Sequence, residues 1–322
     1  FLFMDYDVII VGAGPAGYFC AYELTEKRPD LKVLLIEKGR DIKTRSCPIL
    51  KGTLDKCPIN KEGYRECYPS CSITCGFGGA GAYSDGKFNI TSEFGGWMQD
   101  YLENGDLLDL INYVDSINLK FGATKDITDP YTQKVKEIEL RAMSVGVRLL
   151  RSKVRHLGTE ENLKILERIS NHLQKKVTMM FTTDVIDIIT ENGEVRGVIT
   201  KDDQTFRAKK VLLAVGREGS KWLDGLLEKR GVKMDQTQVD IGVRVECNDL
   251  IMEEINTHLY EGKFVYRTST GNTVRTFCSN PSGHVVMENY NGVINVNGHS
   301  YKDEKFKSEN TNFALLVSHH FA

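Results

Sequence analysis

Three glycines near the amino terminus, Gly12, Gly14 and Gly17, interrupt an otherwise apolar stretch, VIIVGAGPAG. The β-branched run before Gly12 is typical of a buried strand, and apolar residues at helical spacing follow Gly17. In such a turn the first glycine permits the bend, the second lets the backbone approach a pyrophosphate, and the third lets the helix lie close to the sheet. The free N–H groups at the start of the helix bind phosphate. We therefore predict a dinucleotide site that includes Gly12, Gly14, Pro15, Ala16 and Gly17.

An acidic residue, Glu37, ends the next apolar run, KVLLIEKG. A carboxylate at this point accepts hydrogen bonds from the hydroxyls of a ribose, and it suits an adenosine ribose without a 2′-phosphate. The two strands and the helix between them form a βαβ unit. We assign Glu37 and its neighbour Lys38 to the dinucleotide site; a glycine-rich turn without a ligand is the alternative.

The stretch GFGGAGAYSDGK, residues 76–87, repeats the glycine spacing in a different context. The residues before it, CYPSCSITC, do not form a strand pattern, and a turn at Asp85-Gly86 stands where a helix would begin. It is therefore not a second dinucleotide fold. Because backbone without Cβ atoms can pass close to a ring or a phosphate, we predict a loop that contacts the cofactor rather than a flexible surface loop. The residues assigned to it are Gly78, Gly79, Ala80 and Gly81.

A run of short strands joined by tight turns occupies residues 183–216, with Asn192-Gly193 as a strong hairpin signal. In flavoproteins with two dinucleotide-binding domains, a β-meander of this kind interrupts the parallel sheet of the FAD domain, and the strand after it ends beside the cofactor in small residues. This pattern favours FAD over NAD. The cofactor contacts assigned on this basis are Val185, Ala214, Gly216 and Arg217.

The chain resembles a largely uncharacterised bacterial and archaeal family, the FAD-dependent dehydrogenases or FAD-dependent oxidoreductases. The shared stretches cover nearly the whole chain: DVIIVGAGPAG, GFGGAGAYSDGK, AVGREG, DIGVRVE, TVRTFC and VNGHSY. The resemblance implies bound FAD and transfer of hydride or electrons through flavin N5, but it names no substrate. Such flavoproteins return to the FAD domain with a late strand and a Gly-Asp motif. Because this chain shows neither, we expect it to be truncated at its carboxyl terminus.

The predicted fold class is α/β, with a Rossmann-like FAD-binding domain and a smaller, strand-rich α+β substrate domain. The FAD domain, a parallel sheet with a β-meander insertion, is expected to be discontinuous, over residues 1–98 and 177–230. Residues 99–176 are predicted to be a helical insertion, because apolar residues recur there at three-to-four spacing. Residues 231–322 are predicted to form the substrate domain, which is expected to be incomplete.

Candidates for the chemistry beside the flavin are few. Lys87 is placed to put a positive charge near the N1/C2 oxygen edge of a reduced flavin, or else it is a turn lysine in solvent. His284 and His299 lie beside glycines in the strand-rich part, where an acid or base could meet a substrate. A lone histidine more often has a structural role than a catalytic one, so no catalytic residue is assigned from the sequence.

Five of the eight cysteines lie within residues 47–75, and Cys67, Cys71 and Cys75 recur at every fourth position. Their spacing matches neither a zinc knuckle nor a ferredoxin run. A metal or iron–sulfur site and a redox dithiol are therefore alternatives to the favoured interpretation, in which reduced thiols line a loop near the cofactor.

The 322 residues carry a net charge of −2 and no basic tract, so nucleic acid is not an expected partner. No apolar run is long enough to span a bilayer, and the absence of a leader together with the cysteine content suggests a cytoplasmic protein. We predict an enzyme, an FAD-dependent oxidoreductase that acts on a small molecule or an electron carrier; NAD(P)H would bind transiently, because only one dinucleotide turn is present. The alternatives are a non-catalytic FAD-binding protein, such as an RNA-modification or assembly partner, and a flavin–cysteine electron-transfer protein.

Overall fold

The computed structural model describes residues 5–58, 63–235, 238–290, 293–301 and 303–320. It divides into two compact units. The first comprises residues 1–83, 166–234 and 288–295, and the second comprises residues 84–165, 235–287 and 296–322.

Fifteen strands and six α-helices occur in the described residues. The strands are β1 (Tyr6–Val11), β2 (Val33–Ile36), β3 (Lys87–Ile90), β4 (Val147–Leu150), β5 (Lys153–His156), β6 (Thr178–Met180), β7 (Val185–Glu191), β8 (Glu194–Thr200), β9 (Thr205–Leu213), β10 (Val239–Asn248), β11 (Lys263–Arg267), β12 (Thr273–Asn280), β13 (His284–Tyr290), β14 (Val293–His299) and β15 (Asn310–His319). The helices are α1 (Pro15–Lys27), α2 (Asn104–Lys120), α3 (Gln133–Ser144), α4 (Thr159–Leu173), α5 (Ser220–Lys229) and α6 (Asp249–Leu259). A short 3-10 helix spans Gly79–Tyr83.

A six-stranded sheet forms the centre of the first unit, in the order β6-β2-β1-β9-β8-β7. Strand β1 pairs in parallel with both β2 and β9, and β2 pairs in parallel with β6. Strands β7, β8 and β9 form the predicted antiparallel meander. Ile9, Ile10, Leu34 and Leu35 are fully buried, as expected for the apolar inner strands of a sheet covered on both faces. The predicted α/β fold class is confirmed.

The second unit contains a five-stranded sheet in the order β10-β15-β12-β11-β4, whose described pairings are antiparallel. Helices α3 and α6 bury Val135, Ile138 and Leu259 against Leu149 of β4. Strands β3 and β5 form a separate antiparallel pair. The strand-rich texture predicted after residue 238 is present, whereas α6 and the short strands β3, β4 and β5 were not predicted.

The boundaries of the two units differ from the predicted domains. The predicted helical insertion is divided between the two units. Its residues 99–165 belong to the second unit together with residues 235–287, and its residues 166–176 belong to the first unit. The physical reason is that β4, inside the predicted insertion, pairs with β11 and completes the sheet of the second unit.

The hairpin between β7 and β8 turns at Asn192 (φ 53°) and Gly193 (φ 77°). An L-residue in this left-handed region costs about 1–2 kcal/mol. We therefore expect Gly193→Ala to lower the free energy of unfolding by about 1 kcal/mol, measured by denaturant titration. Gly225→Ala, in α5 with no atom within 4 Å of the added Cβ, is the matched control. It should raise stability instead, because alanine favours helix; a loss of equal size in both variants would contradict the assigned turn.

Candidate cofactor site

The first glycine turn joins β1 to α1 in the first unit. Gly12 has φ +101°, and a Cβ there would overlap the carbonyl oxygen of Ala214. A Cβ on Gly17 would overlap the carbonyl oxygen of Gly12, so these two glycines are required by packing of the protein on itself. The Cβ position of Gly14 is nearly open, with only Gly79 Cα at 3.9 Å. Of the three glycines, Gly14 is therefore the one that leaves space for a ligand.

Helix α1 begins as an anion-binding helix should. Gly14 is its N-cap and supplies no side-chain hydrogen bond, Pro15 follows in the first turn, and no acidic residue lies in that turn. The backbone N–H groups at the start of α1 are therefore not capped by a side chain, and the positive end of the helix dipole is not neutralised. This arrangement fits a pyrophosphate.

Glu37 is buried, at 5% exposure, at the end of β2. One carboxylate oxygen accepts a hydrogen bond from the Ala13 N–H at 2.7 Å. The other accepts from the N–H groups of Gly39 at 2.8 Å and Gly76 at 3.1 Å. Glu37 thus fastens the first glycine turn to the second glycine loop, a structural role that the sequence did not predict. Its predicted contact with a ribose stays a prediction.

The second glycine loop packs directly on the first turn. The Gly78 N–H donates to the Ala13 carbonyl oxygen at 2.8 Å. A Cβ on Gly79 would lie 3.1 Å from Gly14 Cα, whereas one on Gly78 would meet Leu166 instead. The loop therefore needs glycine partly to approach the other glycine turn, and it forms the opposite wall of the same cleft.

A buried arginine holds this loop in place. Arg45 donates Nε to the carbonyl oxygen of Ser72 and Nη2 to that of Ile73, and its Nη1 reaches the carbonyl oxygens of Phe77 and Gly79, all at 2.6–3.0 Å. Burial lowers the pKa of Arg45 from its ordinary value. No sequence pattern indicates this role, because Arg45 and the carbonyl groups that it binds are 27 to 34 residues apart along the chain.

The two glycine segments and the end of β9 enclose a cleft of about 520 Å³. The residues that line it are Gly12, Gly14, Pro15, Ala16, Glu37, Thr74, Cys75, Gly76, Gly79, Ala80, Gly81, Leu213, Ala214, Val215, Gly216, Arg217, Glu218 and Leu223. A smaller cavity of about 80 Å³ shares Gly12 and Glu37 with the cleft and adds Lys38, Val185 and Trp222 to its lining. Thirteen of the fifteen predicted contact residues therefore line the cleft or the smaller cavity. The other two, Gly17 and Gly78, pack against Gly12 and Leu166.

Several lining residues were not predicted. Cys75 lies directly before the predicted loop of residues 76–87, whose first residue, Gly76, also lines the cleft. Val215 lies inside the predicted AVGR segment. Glu218 and Leu223 reach the cleft from the turn and helix after β9, and no local pattern distinguishes them from surface residues.

The predicted catalytic candidates all lie in the second unit, and none of them lines the cleft or the smaller cavity. Lys87 is buried, with Nζ 3.3 Å from carboxylate oxygens of both Asp85 and Glu261. Burial alone would lower the pKa of Lys87, but these two carboxylates raise it above its ordinary value. The alternative of a turn lysine in solvent is therefore wrong. His284 Nε2 lies 2.9 Å from the Phe306 carbonyl oxygen, and His299 is buried. The catalytic roles of Lys87, His284 and His299 stay predictions.

None of the eight cysteines, all of which lie in the described residues, forms a disulfide. Among the described residues, no group of three or more histidine, cysteine, aspartate or glutamate side chains is placed to hold a metal ion. The thiol of Cys75 donates to Glu37 Oε1 at 3.3 Å, and burial raises its pKa. Burial, with the neighbouring Cys71, Cys47 and Cys57, raises the pKa of Cys67 to about 11.

A raised pKa reduces the fraction of Cys67 present as thiolate near neutral pH, and the thiolate is the form that reacts. We expect Cys67 to react with iodoacetamide at pH 8 at least about tenfold more slowly than a free thiol such as glutathione. Peptide mass spectrometry of the native protein over time measures this rate, and Cys67→Ser identifies the peptide. A rate faster than that of glutathione would favour an activated redox thiol instead.

Two family models match parts of the chain. The Thi4 family matches residues 1–42, and glucose inhibited division protein A matches residues 146–257. Among curated proteins, the chain is similar to thiamine thiazole synthase of Coprinopsis cinerea (61% identity over 33 residues) and of Phaeosphaeria nodorum (49% over 37 residues). These segments are 10% and 12% of this chain, and they span about a tenth of the relatives (10% and 11%).

Solved structures that the chain matches include L-amino acid deaminase from Proteus vulgaris and glycine oxidase from Geobacillus kaustophilus. The first has a TM-score of 0.43 and 14% identity, over 85% of this chain and 61% of that protein. The second has a TM-score of 0.41 and 16% identity, over 98% of this chain and 73% of that protein. In the part of the chain that the structure describes, no helix has both the length and the apolar character needed to cross a bilayer.

The Thi4 match covers β1, α1 and β2 with the first glycine turn, and the second match covers the meander and the strand that ends at the cleft. Neither match reaches half of the chain, so neither family is assigned. Both matches include segments that line the cleft, and together they support FAD as the cofactor.

Proposed function

We propose that the chain binds FAD in the cleft of its first unit and uses it to oxidise or reduce a small molecule. The observation that carries this proposal is the set of hydrogen bonds that connects the two glycine segments. Glu37 and the Gly78–Ala13 hydrogen bond hold the backbone of the first glycine turn against the backbone of the second glycine loop. Two backbone segments without side chains leave space for a pyrophosphate and a flat ring system, and their N–H groups can donate to them.

In this proposal, each residue has a defined task. The start of α1 binds the pyrophosphate through backbone N–H groups, and Gly14 keeps that position free of side-chain atoms. Val185 and Trp222, beside the smaller cavity, supply an apolar surface for the adenine ring. FAD, when bound, supplies hydride or electron transfer, so the protein contributes binding, orientation and electrostatics.

The similarity to thiamine thiazole synthases supports cofactor binding rather than thiazole chemistry. The Thi4 match ends at residue 42, before the second glycine loop and before the whole second unit. The substrate is therefore proposed only as a small molecule or an electron carrier. A nicotinamide donor would bind transiently, because the sequence has a single strand–glycine–helix motif. Eight cysteines without a disulfide among them support a cytoplasmic location.

Anaerobic reduction of the bound flavin distinguishes an oxidoreductase from a non-catalytic FAD-binding protein. The protein, loaded with FAD, is mixed with NADH, NADPH and panels of amino acids and hydroxy acids while the visible flavin band is recorded. We expect at least one donor to bleach the bound flavin faster than free FAD at the same concentration. If only dithionite bleaches it, and none of these donors exceeds the free-FAD rate, the non-catalytic alternative is favoured.

A further inference from the structure

The second unit contains a partly buried cluster of polar side chains that the proposed function does not use. It consists of Arg244 on β10, Asn280 at the end of β12, Asn297 on β14 and Asn312 on β15. Arg244 Nη1 donates to Asn312 Oδ1 at 2.7 Å and to the Cys278 carbonyl oxygen at 3.2 Å. Asn280 and Asn312 have no exposed surface.

The backbone is shaped to bring these groups together. A Cβ on Gly298 would overlap Asn280 Nδ2 and Asn312 Oδ1, and it would lie 2.7 Å from Arg244 Nη1. The pairing of β12 with β15 shifts register between Phe277 and Asn280, and Cys278 has φ +49°. A bulge with a strained non-glycine residue is typical of a functional position.

The cluster has a positive charge without a negative partner. The described hydrogen-bond acceptors of Arg244 are neutral oxygens, and no ion pair among the described residues includes it. The acidic side chains on the same face of β10 are engaged elsewhere, Asp240 with Arg275 and Glu246 with Asn310. Withdrawing a guanidinium from water without a counter-ion is costly, because the lost hydration is not replaced.

Unsatisfied donors lie in the same place. Arg244 Nε and Asn312 Nδ2 are buried atoms without a hydrogen-bond partner among the described residues. Within the described part of the chain, the only contact of Arg244 Nη2 is a long one, 3.4 Å to Asn297 Oδ1. By contrast, the buried Arg45 of the first unit uses Nε, Nη1 and Nη2 on carbonyl oxygens. The free Nε edge of a guanidinium is the edge that binds a carboxylate with two parallel hydrogen bonds.

We propose that Arg244, with Asn312 and Asn297, binds the carboxylate group of a small organic acid. Arg244 and Asn297 are partly exposed, whereas Arg244 Nε and Asn312 Nδ2 are buried, so the carboxylate reaches these two donors only when the side chains around them move. The carboxylate would neutralise the guanidinium and accept hydrogen bonds from Arg244 Nε and Asn312 Nδ2. The residues of this site belong to the second unit and those of the cleft to the first, and the test below uses no FAD, so its failure leaves the proposed function untouched.

Thermal unfolding of the full 322-residue chain tests this site with formate and acetate as probes. Sodium formate or acetate is compared with sodium chloride at equal ionic strength. We expect a rise in Tm of about 2–4 °C when the carboxylate is well above its Kd, and no rise in Arg244→Gln. Arg275→Gln, which removes the same charge from β12, separated from β10 by β15 in the sheet, is the matched control and should keep the response. Equal Tm values in carboxylate and chloride, or an undiminished response in Arg244→Gln, would overturn the proposal.

Asn312→Asp gives a second test that does not require the arginine to be removed. The new carboxylate would lie against Arg244 Nη1, where Asn312 Oδ1 now lies at 2.7 Å. We expect this variant to melt at a higher temperature than the parent without added carboxylate, and to lose the formate response. A destabilised variant that still responds to formate would contradict an uncompensated positive charge at this position. Sulfate or phosphate acting as strongly as formate would contradict a site for a planar carboxylate.

Discussion

Gly14→Val is expected to yield a folded protein that no longer binds FAD. The Cβ position of Gly14 meets only Gly79 Cα, at 3.9 Å, so the substitution leaves the packing of the turn intact. The two γ-methyl groups extend into the space that the pyrophosphate requires. We expect FAD affinity to fall by about 100-fold or more, the equivalent of about 3 kcal/mol of overpacking. Fluorescence titration with FAD measures the affinity, and circular dichroism verifies the fold.

Gly81→Ala is the matched control for this experiment. Gly81 also lines the cleft, and no atom lies within 4 Å of its added Cβ. A single methyl group at this more open position should leave measurable FAD binding. Full flavin occupancy in Gly14→Val would show that the first glycine turn does not hold the pyrophosphate.

Glu37→Ala is expected to weaken both the fold and the cofactor site. The substitution leaves the N–H groups of Ala13, Gly39 and Gly76 without their common acceptor in a buried place. Each unsatisfied buried donor costs about 1–3 kcal/mol, so we expect the free energy of unfolding to fall by about 3–5 kcal/mol. FAD binding should weaken by about 1.5–3 kcal/mol, the range for hydrogen bonds to a charged group.

Glu37→Gln separates these two effects. Glutamine has the same size and keeps one acceptor oxygen, but its NH2 group faces a backbone N–H that needs an acceptor. We expect a stability between those of the parent and Glu37→Ala. Denaturant titration measures the first effect, and FAD titration at low denaturant measures the second. An unchanged unfolding midpoint in Glu37→Ala, with less than a twofold change in FAD affinity, would remove Glu37 from both roles.

The first half of the cofactor site could be predicted because its determinants are local. A strand, a glycine turn and a helix follow one another within residues 6–27, and each carries its own sequence pattern. The second glycine loop could be predicted only as a contact. Its position depends on Arg45 and on Glu37, whose partners lie up to 39 residues away along the chain. No periodicity marks such contacts.

The organisation of the second unit was harder to predict for the same reason. Strand β4 has four residues and lies between helices α3 and α4, so its apolar pattern is too short to indicate a strand. Its partner β11 lies more than a hundred residues further along the chain. The buried contacts of Lys87 with Asp85 and Glu261 likewise depend on tertiary structure, and a lysine in an SDGK turn indicates solvent exposure when only the sequence is considered.

Equilibrium binding of FAD to the purified chain tests the central claim most directly. The protein is freed of endogenous nucleotide, incubated with FAD, separated from unbound cofactor and examined by visible absorption spectroscopy. We predict a yellow protein with stoichiometric FAD, and loss of this colour in Gly14→Val but not in Gly81→Ala. A folded parent protein that stays colourless at saturating FAD would contradict the assignment of the cleft.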